Sequence, residues 1–214
     1  MATQPTPKQA TEQRQASLVA AALALAAQRS PADITTADLA QAVGITQGAV
    51  FRHFESKSSI WLAVMDAVHK DLLTRLRAAA EAGSQPLTAL RAVFMAHADF
   101  VVEQPGVPRV IFQELQHPED TPLKTQVRQL MQDYRTLITG LLERAQAARQ
   151  LAPGTDLQAA AVLFIGSVQG LVMQSLLSGQ VGAMRQLAPA VFELFQQAIA
   201  APPSRARRDK ESTA

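Results

Sequence analysis

Between Thr35 and Lys57 the sequence runs TTADLAQAVGITQGAVFRHFESK, two short amphipathic segments that meet at Gly44. A glycine between two brief helices marks a helix-turn-helix, since a residue without Cβ lets the chain turn sharply at that point. The first segment, Thr36 to Val43, turns Leu39, Ala40 and Val43 inward, and the second, Thr46 to His53, turns Val50 and Phe54 to the same side. Gln47, Gly48, Ala49 and Arg52 stay outside. A short exposed helix with an amide, small groups and a guanidinium fits the major groove of duplex DNA, where Gln and Arg bond base edges bidentately. Thr35, Thr46 and Ser56 each precede a helical run, and a hydroxyl there caps the helix with or without DNA.

At these residues the chain resembles the TetR family of bacterial transcriptional regulators, whose members read Thr-x-x-x-Leu/Ile-Ala, then Gly-Val/Ile-Ser/Thr, then aromatic-x-His-Phe-x-Ser-Lys before a long helix. The matching residues are Thr35 to Ala40, Gly44-Ile45-Thr46, and Phe51, His53, Phe54, Ser56 and Lys57. The resemblance implies that Thr35, Thr36, Thr46, His53 and Lys57 hold phosphates and that Gln47, Gly48 and Arg52 face bases. Phe51 stands where the family usually has tyrosine, so the packing ring is kept and a phosphate-bonding hydroxyl is lost.

The rest of the chain reads as helices throughout. With 48% apolar and 18% charged residues in 214, it has the material for a buried core. The fold class expected is all-α with about nine helices: an N-terminal three-helix helix-turn-helix DNA-binding domain over 11–57, and a C-terminal ligand-binding and dimerisation bundle over 58–201. Residues 1–10, with Pro5 and Pro7, are expected to form a disordered arm, and 202–214 a disordered tail. The first helix is expected over Thr11 to Gln28. A connector helix follows over 58–80, where Trp61, Val64, Met65, Val68, Leu72 and Leu76 recur at helical spacing. Further helices are expected after Pro86, over Pro108 to Gln116, and over Leu123 to Ala148. Another is expected from a Thr155/Gln158 capping box to Ser178, and the last from Met184 to Ala201.

The net charge of +2 does not itself signal DNA binding, and residues 1–60 hold five Lys/Arg against four Asp/Glu. Phosphate affinity depends on placement, and Arg52, His53 and Lys57 fall together on the expected DNA face. The chain has no cysteine, which excludes disulfides, thiolate metal sites and cysteine nucleophiles. Ala16 to Ala27 has the look of a short signal-peptide core but follows a polar stretch containing Glu12 and occupies the place of the first helix, so a cytoplasmic protein is expected. Leu157 to Met184 carries no charge, yet its glutamines and serines mark it as a buried helix of a soluble protein and not a membrane span.

Between the connector and the last helices lies an apolar bundle with a few polar groups, His97, Gln113, Tyr134 and Gln169, the kind of wall that small-molecule pockets have. The TetR resemblance implies an effector held in this region. Phe94, His97, Val101, Phe112, Leu115, Tyr134, Phe164 and Gln169 are the residues expected around it, and their character points to an apolar or amphipathic ligand. Gly166 and Gly170, four apart, allow close approach of another backbone, whether from this chain or a second copy. With Met173, Val191 and Phe195 they form the expected homodimer interface, since the family pairs through its last two long helices. Glu114 and His117 have a metal-site spacing, but with no second copy and Pro118 at hand no metal site or cofactor is expected. The four histidines are scattered without a supporting motif, so an enzyme is not expected. The alternatives are an all-helical enzyme and a helical adaptor without DNA binding. The reading is a DNA-binding transcriptional regulator, a repressor that sits as a dimer on a near-palindromic double-stranded operator and is released by its ligand.

Overall fold

The computed structural model describes residues 7–201, with side chains from residue 11 onward. The expectations for 1–6 and 202–214 lie outside the described residues. Among the described residues nine α-helices run in the order α1 (Pro7–Ala26), α2 (Thr36–Ala42), α3 (Gln47–Val50), α4 (Lys57–Ala82), α5 (Pro86–Glu103), α6 (Gly106–Leu115), α7 (Pro122–Ala147), α8 (Leu157–Ser178) and α9 (Met184–Ile199). Short 3-10 turns occupy Pro31–Asp33 and Val181–Ala183. There is no strand among the described residues; a single antiparallel bridge between Leu151 and Ala200 ties the end of α9 to the loop after α7.

Local chemistry sets most of the boundaries. Thr35 closes a capping box with Asp38 at the start of α2, and Ser56 closes another with Ser59 at the start of α4. Pro86 and Pro122 sit at the first turns of α5 and α7, where the missing N–H costs nothing. Gly44 and Gly179 take positive φ, +68° and +69°, and stop α2 and α8. Among the boundaries that depart from expectation are the starts of α1 and α8. The helix α1 begins at Pro7, so the last four residues of the expected arm are helical. The cap of α8 is Asp156, whose carboxylate accepts from Gln158 and Ala159 N–H, while Thr155 turns back to donate to Ala152 O; a carboxylate one residue nearer the helix outcompetes the hydroxyl.

One apolar core runs through the whole described chain. At one end, α1 packs on α2, α4 and α6, and α2 on α3. The 26-residue helix α4 leaves this cluster and continues into the body against α5 and α7, burying Ile60, Trp61, Val64, Met65, Val68, Leu72, Leu73 and Leu76. It spans about 39 Å at 1.5 Å per residue. In the body α5 is central, touching α4, α7, α8 and α9.

Among the described residues, α8 is the one helix long and apolar enough by composition to cross a membrane. Its apolarity has two sides with different causes. Ala161, Phe164, Ile165, Val168, Leu171 and Val172 are buried within the chain, and Val162, Leu163, Met173 and Leu177 are exposed on the other side.

Candidate functional site

Three surfaces hold the residues singled out from sequence. The first is the outer face of α2 and α3. Thr46 caps α3 by accepting from Ala49 N–H, and the four-residue helix presents Gln47 and Gly48 to solvent, followed by exposed Phe51 and Arg52. Gln47 Nε2 donates to Thr36 Oγ1 at 2.8 Å, which brings the starts of α2 and α3 together. The Thr35 backbone N–H and hydroxyl both donate to the Asp38 carboxylate at 2.7 Å, and those two bonds, with the nearby Arg29 guanidinium, hold the Asp38 carboxyl down at about 2, while Thr35 Oγ1 accepts from Asp38 N–H. Arg52 is exposed and makes no hydrogen bond or ion pair among the described residues, so none of its five donors is taken there. His53 is half-buried, with Nδ1 sealed away and without a partner among the described residues. Lys57 is held differently from the others: Nζ donates to Ala32 O at 2.9 Å, which leaves it further N–H donors beside that face. The segment beyond Val50 closes in turns and not as helix to His53, because His53 and Phe54 N–H both go to Val50 O and Phe54 dives into the core.

The second is a cavity of about 380 Å³ between α5, α6, α7 and α8, with Leu72 of α4 in its wall. His97, Val101, Phe112, Leu115, Tyr134 and Gln169 line it, together with Phe100, Val107, Ile111, Leu130, Met131, Ile165 and Val168, which sequence reasoning did not single out. Phe94 and Phe164, expected in the wall, are not in it. They are fully buried behind it, edge to face at 5.3 Å, in an aromatic cluster completed by Phe192 and Phe195. At the cavity wall His97 Nδ1 lies 2.9 Å from the Tyr134 hydroxyl. Burial pushes the His97 imidazole down to about 4 and raises the Tyr134 phenol beyond its ordinary value, so both are neutral at pH 7.

The third is an exposed apolar face on α8 and α9. Gly166 and Gly170 are exposed, with nothing from the rest of the described residues within 4 Å of where a Cβ would be, so no other described element packs on them. Val162, Leu163, Met173 and Leu177 flank them, and Leu187 and Leu194 extend the stripe on α9, beside half-buried Val191. Phe195, expected here, is only 3% exposed and packs on Phe164 and Phe192. The reason is geometric: α9 carries apolar residues on two sides, and the large ring goes where Phe164 offers an aromatic partner, leaving Leu194 outside.

The helix α6 joins the first two surfaces. Val107, Pro108, Ile111, Phe112 and Leu115 face the cavity. On its other side Gly106 touches α1 so closely that a Cβ would lie 2.3 Å from Leu23 O. Gln113, read from sequence as a polar member of the bundle core, instead accepts from Ala32 N–H at 2.9 Å and Ser30 Oγ at 3.3 Å, tying α6 to the turn before α2. Glu114, beside it, is buried and accepts from the Thr121 hydroxyl. No group of three or more potential metal ligands occurs among the described residues.

Comparison with known proteins agrees with this geometry. Residues 18–64 match the model of the bacterial regulatory proteins of the tetR family, and residues 112–212 match that of the tetracyclin repressor-like C-terminal domain. The nucleoid occlusion factor SlmA of Marinomonas sp. (strain MWYL1) is 25% identical over 152 residues, 71% of this chain and 77% of that protein. The ketosteroid transcriptional regulator KstR2 of Mycobacterium tuberculosis shares the fold with a TM-score of 0.74 at 19% identity, over 88% of this chain and 96% of that one. A TetR transcriptional regulator from Chloroflexus aurantiacus does so at 0.76 and 20%, over 90% and 99%.

Proposed function

We propose that this chain, which belongs to the TetR family of bacterial regulatory proteins, is a repressor that binds a near-palindromic DNA operator as a homodimer and lets go when a small apolar or amphipathic ligand fills the cavity. In this reading residues 11–57 are the DNA-binding head and 58–201 the ligand-binding and dimerisation body, in the cytoplasm. The observation that carries it is the continuity of two elements, α4 and α6, from the head to the cavity wall.

Gln47, Gly48 and Arg52 supply the exposed edge that enters the major groove, with Thr35, Thr36, Thr46, His53 and Lys57 on flanking phosphates. One such helix touches few bases. Two copies joined through the exposed α8 and α9 stripe place two recognition helices side by side, and a spacing of about 34 Å, one DNA turn, reads both halves of a palindrome. The stripe is a contiguous apolar face of the kind that marks an interaction site, and its glycines let two α8 helices come close.

Ligand enters between α5, α6, α7 and α8. Pressing on Val107, Ile111, Phe112 and Leu115 moves α6, and α6 carries Gln113 with it, hence the backbone at Ala32, and presses or releases α1 at Gly106. The connector α4 tilts with the head it is packed against. A coupling of about 1–3 kcal/mol, 5- to 150-fold in operator affinity, is the usual size of such linkage.

The test is duplex binding by fluorescence anisotropy as a function of salt, with the DNA upstream of the chain's own coding region as probe. Lys57→Ala weakens all duplexes alike and lowers the salt slope by about 1, whereas Arg52→Ala or Gln47→Ala changes which sequence is preferred. Unchanged affinity and preference in Arg52→Ala would remove it from the base-reading face. A disulfide locking α6 to α1 abolishes ligand response in this account; an intact response refutes the linkage.

A further inference from the structure

The interior of the cavity offers a single polar feature. Arg128, Gln132, Arg135 and Gln169 are exposed residues at its mouth, and apart from His97 and Tyr134 the remaining walls are apolar. Tyr134 is 0% exposed, and its hydroxyl has one hydrogen-bond partner among the described residues, His97 Nδ1. A phenol carries a hydrogen that must be donated, and leaving such a donor buried and unpaired costs about 1–3 kcal/mol. The acceptor in reach is the Nδ1 lone pair, so Tyr134 donates and His97 accepts.

A neutral imidazole that accepts at Nδ1 carries its hydrogen on Nε2. Burial keeps the ring neutral. Nε2 has no hydrogen-bond partner among the described residues, yet it is not among the polar atoms sealed from solvent without one. His97 is itself one of the residues that line the cavity. The ring is thereby held by Tyr134 as a neutral imidazole of the cavity lining, and its Nε2–H has no partner among the described residues.

We infer that the ligand is an apolar molecule carrying a neutral carbonyl, which accepts a hydrogen bond from His97 Nε2–H inside the cavity, with Tyr134 as the positioning residue that fixes the tautomer. A head group that only donates, such as an ammonium, meets another donor and is rejected. A carboxylate is disfavoured too, because an ion taken into an apolar site without a buried counter-charge loses several kcal/mol of solvation, and the two arginines stand outside at the mouth. The inference rests on the cavity being the effector site.

Two measurements on the full-length chain test it separately from that reading. Two-bond proton–nitrogen spectra of the 15N-labelled protein at pH 7 read the tautomer of each of its 4 histidines. The signal lost in His97→Gln is expected in the Nε2–H form, and the Nδ1–H form overturns the inference. Calorimetric titration then compares three probes of similar shape: butyrophenone, butylbenzene and 4-phenylbutanoate. Butyrophenone is expected to bind at least 10-fold tighter than either of the others, with the preference erased in His97→Leu and reduced severalfold in Tyr134→Phe, which also mixes the tautomers. Should His97→Leu not fold, Tyr134→Phe carries the comparison. Equal binding of the ketone and the hydrocarbon, or tightest binding of the acid, overturns the inference and leaves the cavity as an effector site. Binding of none of the three, with the Nε2–H form present, overturns the cavity reading and this inference with it.

Discussion

Replacing Gly106 by alanine probes the joint between head and body with one methyl group. At the start of α6 the substitution would ordinarily stabilise, since glycine gives up more chain entropy than alanine, by roughly 0.5–1 kcal/mol. Here the added Cβ would sit 2.3 Å from Leu23 O, 3.0 Å from Ala27 N and 3.2 Å from Ala26 Cβ. Two of those atoms are backbone, of α1 and of the turn that directly follows it, and have no rotamer to change, so α6 must move away by about 1 Å, and overpacking of this sort costs about 1–3 kcal/mol. The clash wins. For a chain of this length each kcal/mol lowers Tm by about 2–4 °C, so calorimetry should show a fall of up to about 10 °C. The strained oxygen is also the acceptor of the Ala27 N–H, at 3.0 Å, so hydrogen exchange at Ala27 should speed up with it, and at Ala32 as the Gln113 bond loosens. Gly140→Ala is the control: it lies within α7 with nothing within 4 Å of the new methyl, and should raise Tm by about 2–4 °C through helix propensity alone. A Tm for Gly106→Ala within 1 °C of the parent, with unaltered exchange at Ala27, would refute the close α1–α6 joint.

Two other perturbations give sharp outcomes. Leu177→Glu with Leu194→Glu places charges in the exposed α8 and α9 stripe; light scattering should shift from twice 23.0 kDa to 23.0 kDa, with dimer affinity weakened on the order of 100-fold, and an unchanged mass would show that the copies do not meet there. The His97 imidazole, held at about 4 against 6.5 when unfolded, makes stability fall as pH drops below 6.5, because the unfolded chain then takes up a proton that the folded one refuses. Between pH 7.5 and 5 this amounts to about 2 kcal/mol in urea unfolding, and the loss should be missing in His97→Gln; parallel pH profiles for the two proteins would contradict the buried neutral ring.

The parts of this structure that sequence alone conveys are those decided within a few residues. Gly44 between Leu39 and Val50, the hydroxyls Thr35, Thr46 and Ser56 at helix starts, and prolines at first turns act through neighbouring backbone, so the head and the helix order follow from pattern. What pattern does not convey is which of two apolar sides faces in. On α9 the series Leu187, Val191 and Leu194 and the series Ala188, Phe192, Phe195 and Ile199 both have helical spacing, and the positions of Phe94 on α5 and Phe164 on α8 select the second for burial. Phe94 and Phe164 were drawn into that same aromatic cluster and out of the cavity wall. Gln113 and Gly106 escape sequence reasoning for a related reason: each acts on a segment some eighty residues earlier in the chain, Ala32 and Leu23, which no local spacing announces.

Selection from a randomised duplex pool by the purified full-length chain bears most directly on the account. After several rounds in dilute salt, the enriched sequences should be inverted repeats whose half-sites lie about one helical turn apart, and Gln47→Ala or Arg52→Ala should change the bases within each half. A pool that stays random, or that converges on a single unrepeated half-site, would contradict a paired, groove-reading regulator.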